Sequence, residues 1–586
     1  MKPSYEDLKR IYAHERSIHL DSEITGTVYT PIWVAKQMVY VLLKNYMQIN
    51  HDAFDIEGVR FDALYLQAYL KGDSITAHEA ETWLPILLPL TILDLSCGTG
   101  VLLIAYLEFI EYLIKHAPLY SNEWLCNLVQ NQMVGIDIDQ RAVDGFVQLL
   151  DEFSRSRGIL PTQFRIYCQN SLIDDLVDDT EKFDLVIGNP PYIGEKNNLS
   201  YFTPIKQTPL GKAYYEGKMD YFYFFIYKGS SYLKEKGCMC YLSSNYFLTA
   251  DGAKKMRLFI KETLNLSTYI DYGDVFVFPE KKLHACVYVL QKKRVTQVYI
   301  YDATLTLKKK IPISRIYHTD GTIQFILSDD AQKILSMMSQ QMVATLGDCY
   351  EIHQGIVSGS DKQFVYSDKV TDMLPRALKP YLVPFYKNSD IKHYYTSTNT
   401  PLSLLYLDQP EVHEDVLKWL NPYKEKLMNR REVVNHYREW YMLTWPRKRE
   451  LFVNEKIVVP QRAKSNRFAY VKQAFYASAD VYYITTKARS PYTLQVLTML
   501  LNSDLTLLWL THMGKKKGTL LELYATPLKN IPIPKLDTEA LIQLTVFSDE
   551  LYASAICPDD QRLAVIKREV DALLSRVLND SDKQNI

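Results

Sequence analysis

The ten-residue stretch Phe183-Asp184-Leu185-Val186-Ile187-Gly188-Asn189-Pro190-Pro191-Tyr192 joins a short apolar run to a proline-rich turn. The run from Phe183 to Gly188 is typical of a buried parallel strand. Two consecutive prolines remove two backbone donors and stiffen the turn, which leaves the Pro190 carbonyl oxygen beside the Asn189 amide oxygen as an acceptor. With the flat ring of Tyr192, these acceptors suit a planar group that carries an NH2, such as adenine. The alternative is a rigid turn that merely ends the strand.

Three upstream segments place further ligand-type residues at the ends of predicted strands. Thr91 to Gly100 is a strand followed by a glycine-rich turn, and Val101 to Lys115 is predicted to be an apolar helix. Val134 to Asp139 is a second strand that ends in acid, and Phe164 to Cys168 is a third, with Asn170 just beyond it. Because ligands of open α/β sheets bind at the carboxyl ends of the strands, the sequence predicts a nucleotide-like ligand at this edge.

The order of these motifs resembles the gamma-class N6-adenine DNA methyltransferases, in the TaqI-type branch. Gly26 to Pro31 is similar to the motif that closes over the cofactor in this class, and Asp220 to Phe222 is similar to its fifth motif. Val277 to Lys282, followed by the predicted strand Ala285 to Leu290, resembles the eighth motif, whose aromatic residue stacks on the target base. One departure is Asn170, where the family often has Asp.

The resemblance implies a Rossmann-like α/β methyltransferase fold, dependent on S-adenosylmethionine, with a C-terminal mixed α+β target-recognition domain. It implies site-specific methyl transfer from that cofactor to N6 of an adenine flipped out of double-stranded DNA, without a metal. The catalytic residues would be Asn189, Pro190, Pro191, Tyr192 and Phe278. The cofactor-binding residues would be Thr30, Pro31, Asp94, Cys97, Gly98, Gly100, Asp137, Asn170, Asn189 and Asp220.

Length and composition indicate more than one domain. A chain of 586 residues is too long for a single core. We expect a catalytic domain over 1–343, with a cofactor-lid segment over 1–90 and a core over 91–343. A target-recognition domain over 344–535 and a helical tail over 536–586 would follow. No apolar run reaches the length of a membrane span, and the eight cysteines include no C-x-x-C pair, so we expect a cytoplasmic protein with reduced thiols and no zinc.

The formal net charge is −1, but the charge is unevenly distributed. From Arg376 to Arg467 there are 17 Lys and Arg against 10 Asp and Glu, close to Trp440, Tyr441 and Trp445. Basic residues interleaved with aromatic ones suit contacts with DNA phosphates, although any single cluster could equally be a solvated face. The residues predicted to bind DNA are Lys196, Lys281, Lys282, Arg430, Arg431, Arg447, Lys448 and Arg449.

Other functions remain open at this point. An Asn-Pro-Pro-Tyr turn could equally serve a protein-glutamine or an RNA adenine methyltransferase, and a binding protein with an inactive catalytic half is a further alternative. The polar segment from Ile193 to Lys218 is either a loop that orders on DNA or an ordinary insertion. Since no nuclease pattern precedes the glycine-rich turn, we expect a monomeric methyltransferase, solitary or paired with a separately encoded restriction or defence protein.

Overall fold

The computed structural model describes residues 30–51, 55–56, 59–161, 163–174, 180–273, 275–278, 283–318, 321–326, 328–517, 520–553 and 560–583. The chain divides into two compact units, Met1–Leu327 and Ser328–Ile586. The boundary therefore precedes the one expected after residue 343, and the helix Asp329–Gln340 groups with the second unit. The residues of the expected tail, from 536 onward, belong to the same second unit. The roles of the domains stay a prediction.

The first unit contains a nine-stranded sheet and a separate two-stranded hairpin. The hairpin strands are β1 (Asp55–Ile56) and β2 (Val59–Arg60). The sheet strands are β3 (Ile92–Asp94), β4 (Met133–Asp137), β5 (Arg165–Cys168), β6 (Phe183–Gly188), β7 (Leu233–Ser244), β8 (Asn265–Asp271), β9 (Ala285–Gln291), β10 (Gln297–Asp302) and β11 (Leu307–Pro312). Their order in the sheet is β11-β10-β8-β9-β7-β6-β3-β4-β5.

Strands β3 to β7 run parallel, and β9 is antiparallel to both of its neighbours, β7 and β8. From β3 the chain moves outward in one direction through β4 and β5, and in the other direction through β6 and β7. The strand order therefore reverses between β3 and β6, which pair through Ile92↔Leu185 and Leu93↔Val186. Such a reversal opens a crevice at the carboxyl ends of the strands.

Helices cover both faces of this sheet. They are α1 (Ile32–His51), α2 (Ala77–Leu87), α3 (Val101–His116), α4 (Asn122–Asn127), α5 (Gln140–Ser156), α6 (Leu199–Gln207), α7 (Pro209–Tyr214), α8 (Phe222–Tyr232) and α9 (Lys254–Glu262). Every residue of β6 is buried, because Leu185 and Ile187 pack in one core cluster and Val186 packs in the other. The continuous apolar run in the sequence has this cause.

The second unit is a mixed α+β assembly of small sheets. Its strands are β12 (Met342–Thr345), β13 (Tyr350–Gln354), β14 (Val365–Ser367), β15 (Leu382–Tyr386), β16 (Leu402–Leu405), β17 (Lys456–Pro460), β18 (Arg462–Ala463), β19 (Ala469–Val471), β20 (Tyr476–Ala477), β21 (Val481–Thr486), β22 (Lys515–Lys517), β23 (Leu520–Glu522) and β24 (Pro532–Pro534). They form the sheets β12-β24, β13-β21-β17-β19, β14-β16-β15-β20 and β18-β23-β22.

Short and longer helices accompany these sheets. The short ones are α11 (Leu346–Cys349), α12 (Asp361–Phe364), α13 (Asp368–Thr371), α14 (Glu414–Leu420), α15 (Lys424–Met428), α16 (Arg431–Val434), α17 (Glu450–Val453) and α20 (Ala525–Lys529). The longer ones are α10 (Asp329–Gln340), α18 (Leu494–Leu501), α19 (Asp504–Met513), α21 (Thr538–Tyr552) and α22 (Asp560–Lys583).

The C-terminal helices pack on the rest of the second unit. Helices α21 and α22 both contact the buried helix α18. The Tyr552 hydroxyl donates to the Tyr394 carbonyl oxygen at 3.0 Å. No single helix within the described residues is long and apolar enough to cross a membrane, although α18 and α19, which meet at 63°, have the required length and composition as a bent pair. The seven cysteines among the described residues are all free.

Gly100 fixes the start of α3 and offers a test of the glycine-rich turn. Its φ is +82°, and a Cβ there would lie 2.1 Å from the Phe146 ring. We predict that Gly100→Ala lowers the free energy of unfolding by about 2–4 kcal/mol, because it combines a left-handed conformation with overpacking. Gly158→Ala is the matched control, since Gly158 has φ +68° with nothing within 4 Å. Urea denaturation showing equal losses for the two variants would refute the clash.

Candidate active site

The Asn-Pro-Pro-Tyr turn follows directly from the carboxyl end of β6. The Asn189 amide nitrogen donates to the Thr30 hydroxyl at 3.1 Å, so the N-terminal Thr-Pro motif contacts the turn. The Asn189 amide oxygen accepts from the Tyr192 hydroxyl, which also lies 3.2 Å from the Leu242 carbonyl oxygen. These bonds fix the orientation of the Asn189 amide plane.

The sequence predicts that the Asn189 amide oxygen accepts a hydrogen bond from the substrate. In the structure, the Tyr192 hydroxyl already donates to this oxygen. Burial raises the pKa of the Tyr192 phenol well above its ordinary value, so it remains a donor at neutral pH. An amide oxygen has two lone pairs, so the bond from Tyr192 does not by itself use the full acceptor capacity of the Asn189 side chain. The acceptor role of Asn189 is thus compatible with this geometry and stays a prediction.

A cavity with about 810 Å3 of empty space, including its open mouth, lies beside this turn. The carboxyl ends of β3, β4 and β6 and the segment after β5 all contribute to its lining. The lining residues that the sequence predicts are Thr30, Asp94, Cys97, Gly98, Asp137, Asn170, Asn189 and Pro191. Those that it misses are Leu95, Ser96, Thr99, Val101, Leu102, Ile138, Gln169, Ser171, Tyr221 and Phe225.

Two acidic side chains, Asp94 and Asp137, line this cavity. Asp94 is 1% exposed and accepts from the Ser96 amide at 2.9 Å. Burial raises the pKa of Asp94 to about 8, and the neighbouring charge of Asp137 adds to the effect. Asp137 accepts from the Gly98 amide at 2.7 Å and from the Asp139 amide at 2.9 Å. Since no Lys or Arg lines the described cavity, its chemistry favours a ligand that carries positive charge.

Three polar atoms in the cavity wall have no hydrogen-bond partner within the described part of the chain. They are the hydroxyl oxygens of Ser96 and Thr99 and the amide oxygen of Gln169, all buried. Buried polar atoms are nearly always paired, so their presence indicates a ligand with several hydrogen-bonding groups. The exposed side chain of Ile138, at 70% exposure, offers an apolar surface at the same wall.

Three predicted cofactor contacts do not line the cavity. They are Pro31, Gly100 and Asp220. Gly100 is required by the left-handed start of α3. Asp220 accepts from the Ile193 amide at 3.1 Å and so holds the chain that leaves the turn, and burial raises its pKa to about 6. The neighbours of Asp220 on α8, rather than Asp220 itself, reach the cavity.

Phe278 is only 2% exposed and belongs to the hydrophobic core of the first unit. Its ring centroid lies 6.2 Å from that of Tyr192, with the planes tilted by 55°. A base held between two parallel rings needs a separation of roughly 7 Å, twice the contact distance of about 3.5 Å. The predicted clamp is therefore closed in this structure, and a base can enter only if the rings separate. The exposed ring of this segment is Phe276, at 46%.

The polar segment after the turn is folded into α6 and α7. Glu195, which is 8% exposed, accepts from the Lys206 ammonium at 3.1 Å, the Lys218 amide and the Tyr215 hydroxyl. Burial opposes ionisation of Glu195, but these hydrogen bonds outweigh it and lower its pKa. Most of this segment is therefore helical and not a loop, and its ordering on DNA stays a prediction. The predicted DNA contact Lys196 is exposed at its start.

The basic residues predicted to bind DNA divide into three groups. Arg430 donates to five acceptors of its own unit, which uses all of its donors, whereas the exposed Arg449 pairs with Asp408 at 3.0 and 3.1 Å through two of its five N–H groups. Backbone carbonyl oxygens in loops need hydrogen-bond donors, and Arg430 supplies them within the second unit. Arg431, Arg447 and Lys448 are exposed. Lys281 and Lys282 lie outside the described residues.

Comparison with known proteins gives two family matches. Residues 131–278 match the Eco57I restriction-modification methylase family, and residues 383–533 match the TaqI-like C-terminal specificity domain. The Type II methyltransferase M.HindII of Haemophilus influenzae is 25% identical over 417 residues, 63% of this chain and 78% of that protein. The Type II methyltransferase M.BstVI of Geobacillus stearothermophilus is 22% identical over 536 residues, 82% of this chain and 93% of that protein.

A solved structure supports the fold over almost the whole chain. The Type IIL restriction-modification enzyme MmeI, determined in complex with DNA, superposes with a TM-score of 0.68 at 14% identity, covering 98% of this chain and 79% of that one. The sheet, the cavity and the turn thus define an α/β methyltransferase with a C-terminal mixed α+β domain. The chain therefore contains an Eco57I-type restriction-modification methylase domain and a TaqI-like C-terminal specificity domain, the combination expected of a DNA methyltransferase in a restriction-modification system.

Because Phe278 is buried, its replacement should lower the stability of the fold. A ring that only stacks on a flipped base would not have this effect. Phe278→Ala should lower the free energy of unfolding by about 3–5 kcal/mol, because it leaves a cavity in the core. Phe276→Ala is the matched control and should change stability by less than about 1 kcal/mol, because its ring is already hydrated. Urea denaturation measures both values. A neutral Phe278→Ala variant would show that the ring lies outside the core in solution.

Proposed function

We propose that this protein transfers the methyl group of S-adenosylmethionine to N6 of an adenine that is flipped out of double-stranded DNA at a specific sequence. The observation that carries the proposal is the position of the Asn189 amide oxygen, beside a cavity that has two carboxylates and no cation among its described lining residues. The family matches support DNA as the substrate over the RNA and protein-glutamine alternatives, because a specificity domain accompanies the methylase domain.

The cavity residues fit the proposed cofactor. S-adenosylmethionine supplies a methyl group activated on a positively charged sulfonium, and it also carries an ammonium group. Asp94 and Asp137 would favour these charges, and Asp137 would accept from the ribose hydroxyls. Ile138 would pack on the adenine ring, while Asn170 would hydrogen-bond its edge. The unpaired atoms of Ser96, Thr99 and Gln169 would find partners in the same ligand.

Asn189 and Pro190 would prepare the target nitrogen. The exocyclic nitrogen of adenine is a poor nucleophile, because its lone pair is delocalised into the ring. If the Asn189 side chain and the Pro190 carbonyl oxygen each accept one amino hydrogen, the nitrogen becomes pyramidal and its lone pair points at the methyl group. Little else is needed chemically, since good orientation of the reacting groups can contribute about 7–11 kcal/mol.

Base flipping would give the chain access to its target, which is unreachable inside a duplex. Tyr192 would stack on one face of the extruded adenine and Phe278 on the other, after the two rings move apart. Stacking on an aromatic ring contributes roughly 1–3 kcal/mol per base, which is comparable to the few kcal/mol lost on unstacking. A separately encoded restriction or defence protein would be the functional partner.

We predict that Asn189→Ala reduces methyl transfer to duplex DNA by about 100- to 1,000-fold, the loss typical of removing one positioned group that stabilises a transition state. Binding of S-adenosylmethionine should weaken by no more than about tenfold, since only one hydrogen bond is affected. Transfer of tritiated methyl groups and calorimetry measure the two quantities.

Asn131→Ala is the control for this variant, because Asn131 is exposed at the amino end of β4, on the opposite edge of the sheet. It should retain full activity. Full activity of Asn189→Ala, or 5-methylcytosine as the product, would overturn the proposed chemistry.

The raised pKa of Asp94 predicts a pH dependence of cofactor binding. The pKa is about 8 in the free protein, and a bound cation must lower it. Binding therefore favours the ionised carboxylate, so affinity should rise from pH 6 to pH 8 and level off above that. Between pH 6 and pH 7 the affinity of the wild-type protein for S-adenosylmethionine should rise by roughly tenfold. The affinity of Asp94→Asn should lack this rise, because the amide cannot ionise. Parallel profiles for the two proteins in calorimetry would contradict this account.

A further inference from the structure

Arg430 occupies all five of its donors within its own unit. Its guanidinium donates to the carbonyl oxygens of Leu427 and Ser358, both at 3.0 Å, and to the Thr444 hydroxyl at 3.2 Å. The remaining donors reach the carbonyl oxygens of Trp440 at 2.7 Å and Met442 at 2.9 Å. A guanidinium has five N–H groups, so none is left for a phosphate. Arg430 therefore holds backbone segments together through hydrogen bonds to their carbonyl oxygens.

Two chain segments, residues 355–360 and 440–447, are held side by side by this arrangement. Val357 and Trp445 exchange backbone hydrogen bonds at 3.1 and 2.9 Å. Gly359 has φ +81°, and a Cβ there would lie 2.2 Å from the Thr444 hydroxyl oxygen. The two segments therefore have a single, closely packed arrangement, which we call the Arg430 clasp.

The Arg430 clasp presents an aromatic ring among cations. Trp445 is 41% exposed, and the Arg438 guanidinium lies 5.9 Å from its ring centroid. Arg447 and Lys448 follow in the chain and are both exposed. Arg447 donates one N–H group to the Gly355 carbonyl oxygen at 3.2 Å. Between residues 437 and 448 the sequence has three basic side chains and one acidic side chain.

We propose that Trp445, held by the Arg430 clasp, is a sequence-reading contact between the second unit and duplex DNA. The cations on both sides favour phosphate, and all of these residues lie inside the matched specificity domain. Phosphates are the same in every sequence, so Arg447 and Lys448 would supply affinity without preference. An apolar ring can pack against the methyl group of thymine, and its fit also depends on the shape of the groove. Trp445 would therefore make binding depend on the DNA sequence. The inference rests on the proposed function.

The test measures preference and affinity separately. Wild-type protein and variants methylate a pool of duplexes with a randomised core, and the methylated sequences are read. Trp445→Ala should lose about tenfold discrimination at one or two positions of the preferred site, and Trp445→Phe should lose less. Arg430→Lys, which has too few donors for five acceptors, should relax the same positions. Lys448→Ala should instead weaken binding to all duplexes alike. It should also reduce the dependence of the dissociation constant on salt concentration, as measured by fluorescence anisotropy.

Trp124→Ala provides the control, because Trp124 is 44% exposed in the first unit. It should leave both site preference and binding unchanged. An unaltered preferred site in Trp445→Ala would overturn the inference. If wild-type protein methylates no adenine, the proposed function fails by itself, and selection of bound duplexes from the same pool still measures the preference of Trp445→Ala.

Discussion

The parallel direction of β3, β4, β5 and β6 is the constraint on which the site depends. Parallel strands in one sheet end at the same edge, so residues far apart in sequence meet there. The acidic ends of β3 and β4, the segment after β5 and the turn after β6 therefore surround one cavity. Strands β3, β4 and β6 are buried on both faces, so they cannot shift in register without moving apolar side chains out of two cores. The rigid sheet thus positions a site made almost entirely of loop residues.

Polar groups are used in opposite ways in the two units. In the first unit, the cavity atoms of Ser96, Thr99 and Gln169 lack a hydrogen-bond partner within the described residues. That arrangement is unfavourable until a complementary ligand binds. In the second unit, Arg430 is fully engaged with neighbouring residues, which leaves recognition to the side chains that it holds in place. Only a few polar side chains are thus placed to bind a ligand, and most of the others stabilise the fold.

The sequence predicts the catalytic sheet well because buried parallel strands are continuous apolar runs. Predicted strands such as Phe183 to Gly188 and the helix from Val101 agree with the observed elements. Most of the predicted cofactor residues line the cavity, because strand ends fix their location. The sequence could not show that Asp220 bonds backbone or that Arg430 has no uncommitted donor, since both depend on contacts with distant segments. The same applies to Phe278, whose burial follows from packing that no local motif specifies.

Asp137 joins two loops before any ligand is present. One of its carboxylate oxygens holds the Gly98 amide and the other holds the Asp139 amide, so the glycine-rich turn and the next strand end share a single side chain. The turn is therefore preorganised, and a ligand that binds there loses little of its affinity to the ordering of backbone. A substitution at Asp137 would remove both backbone contacts and so raise the conformational entropy of the turn. Affinity at this wall is consequently a property of the turn as a whole, not of one carboxylate.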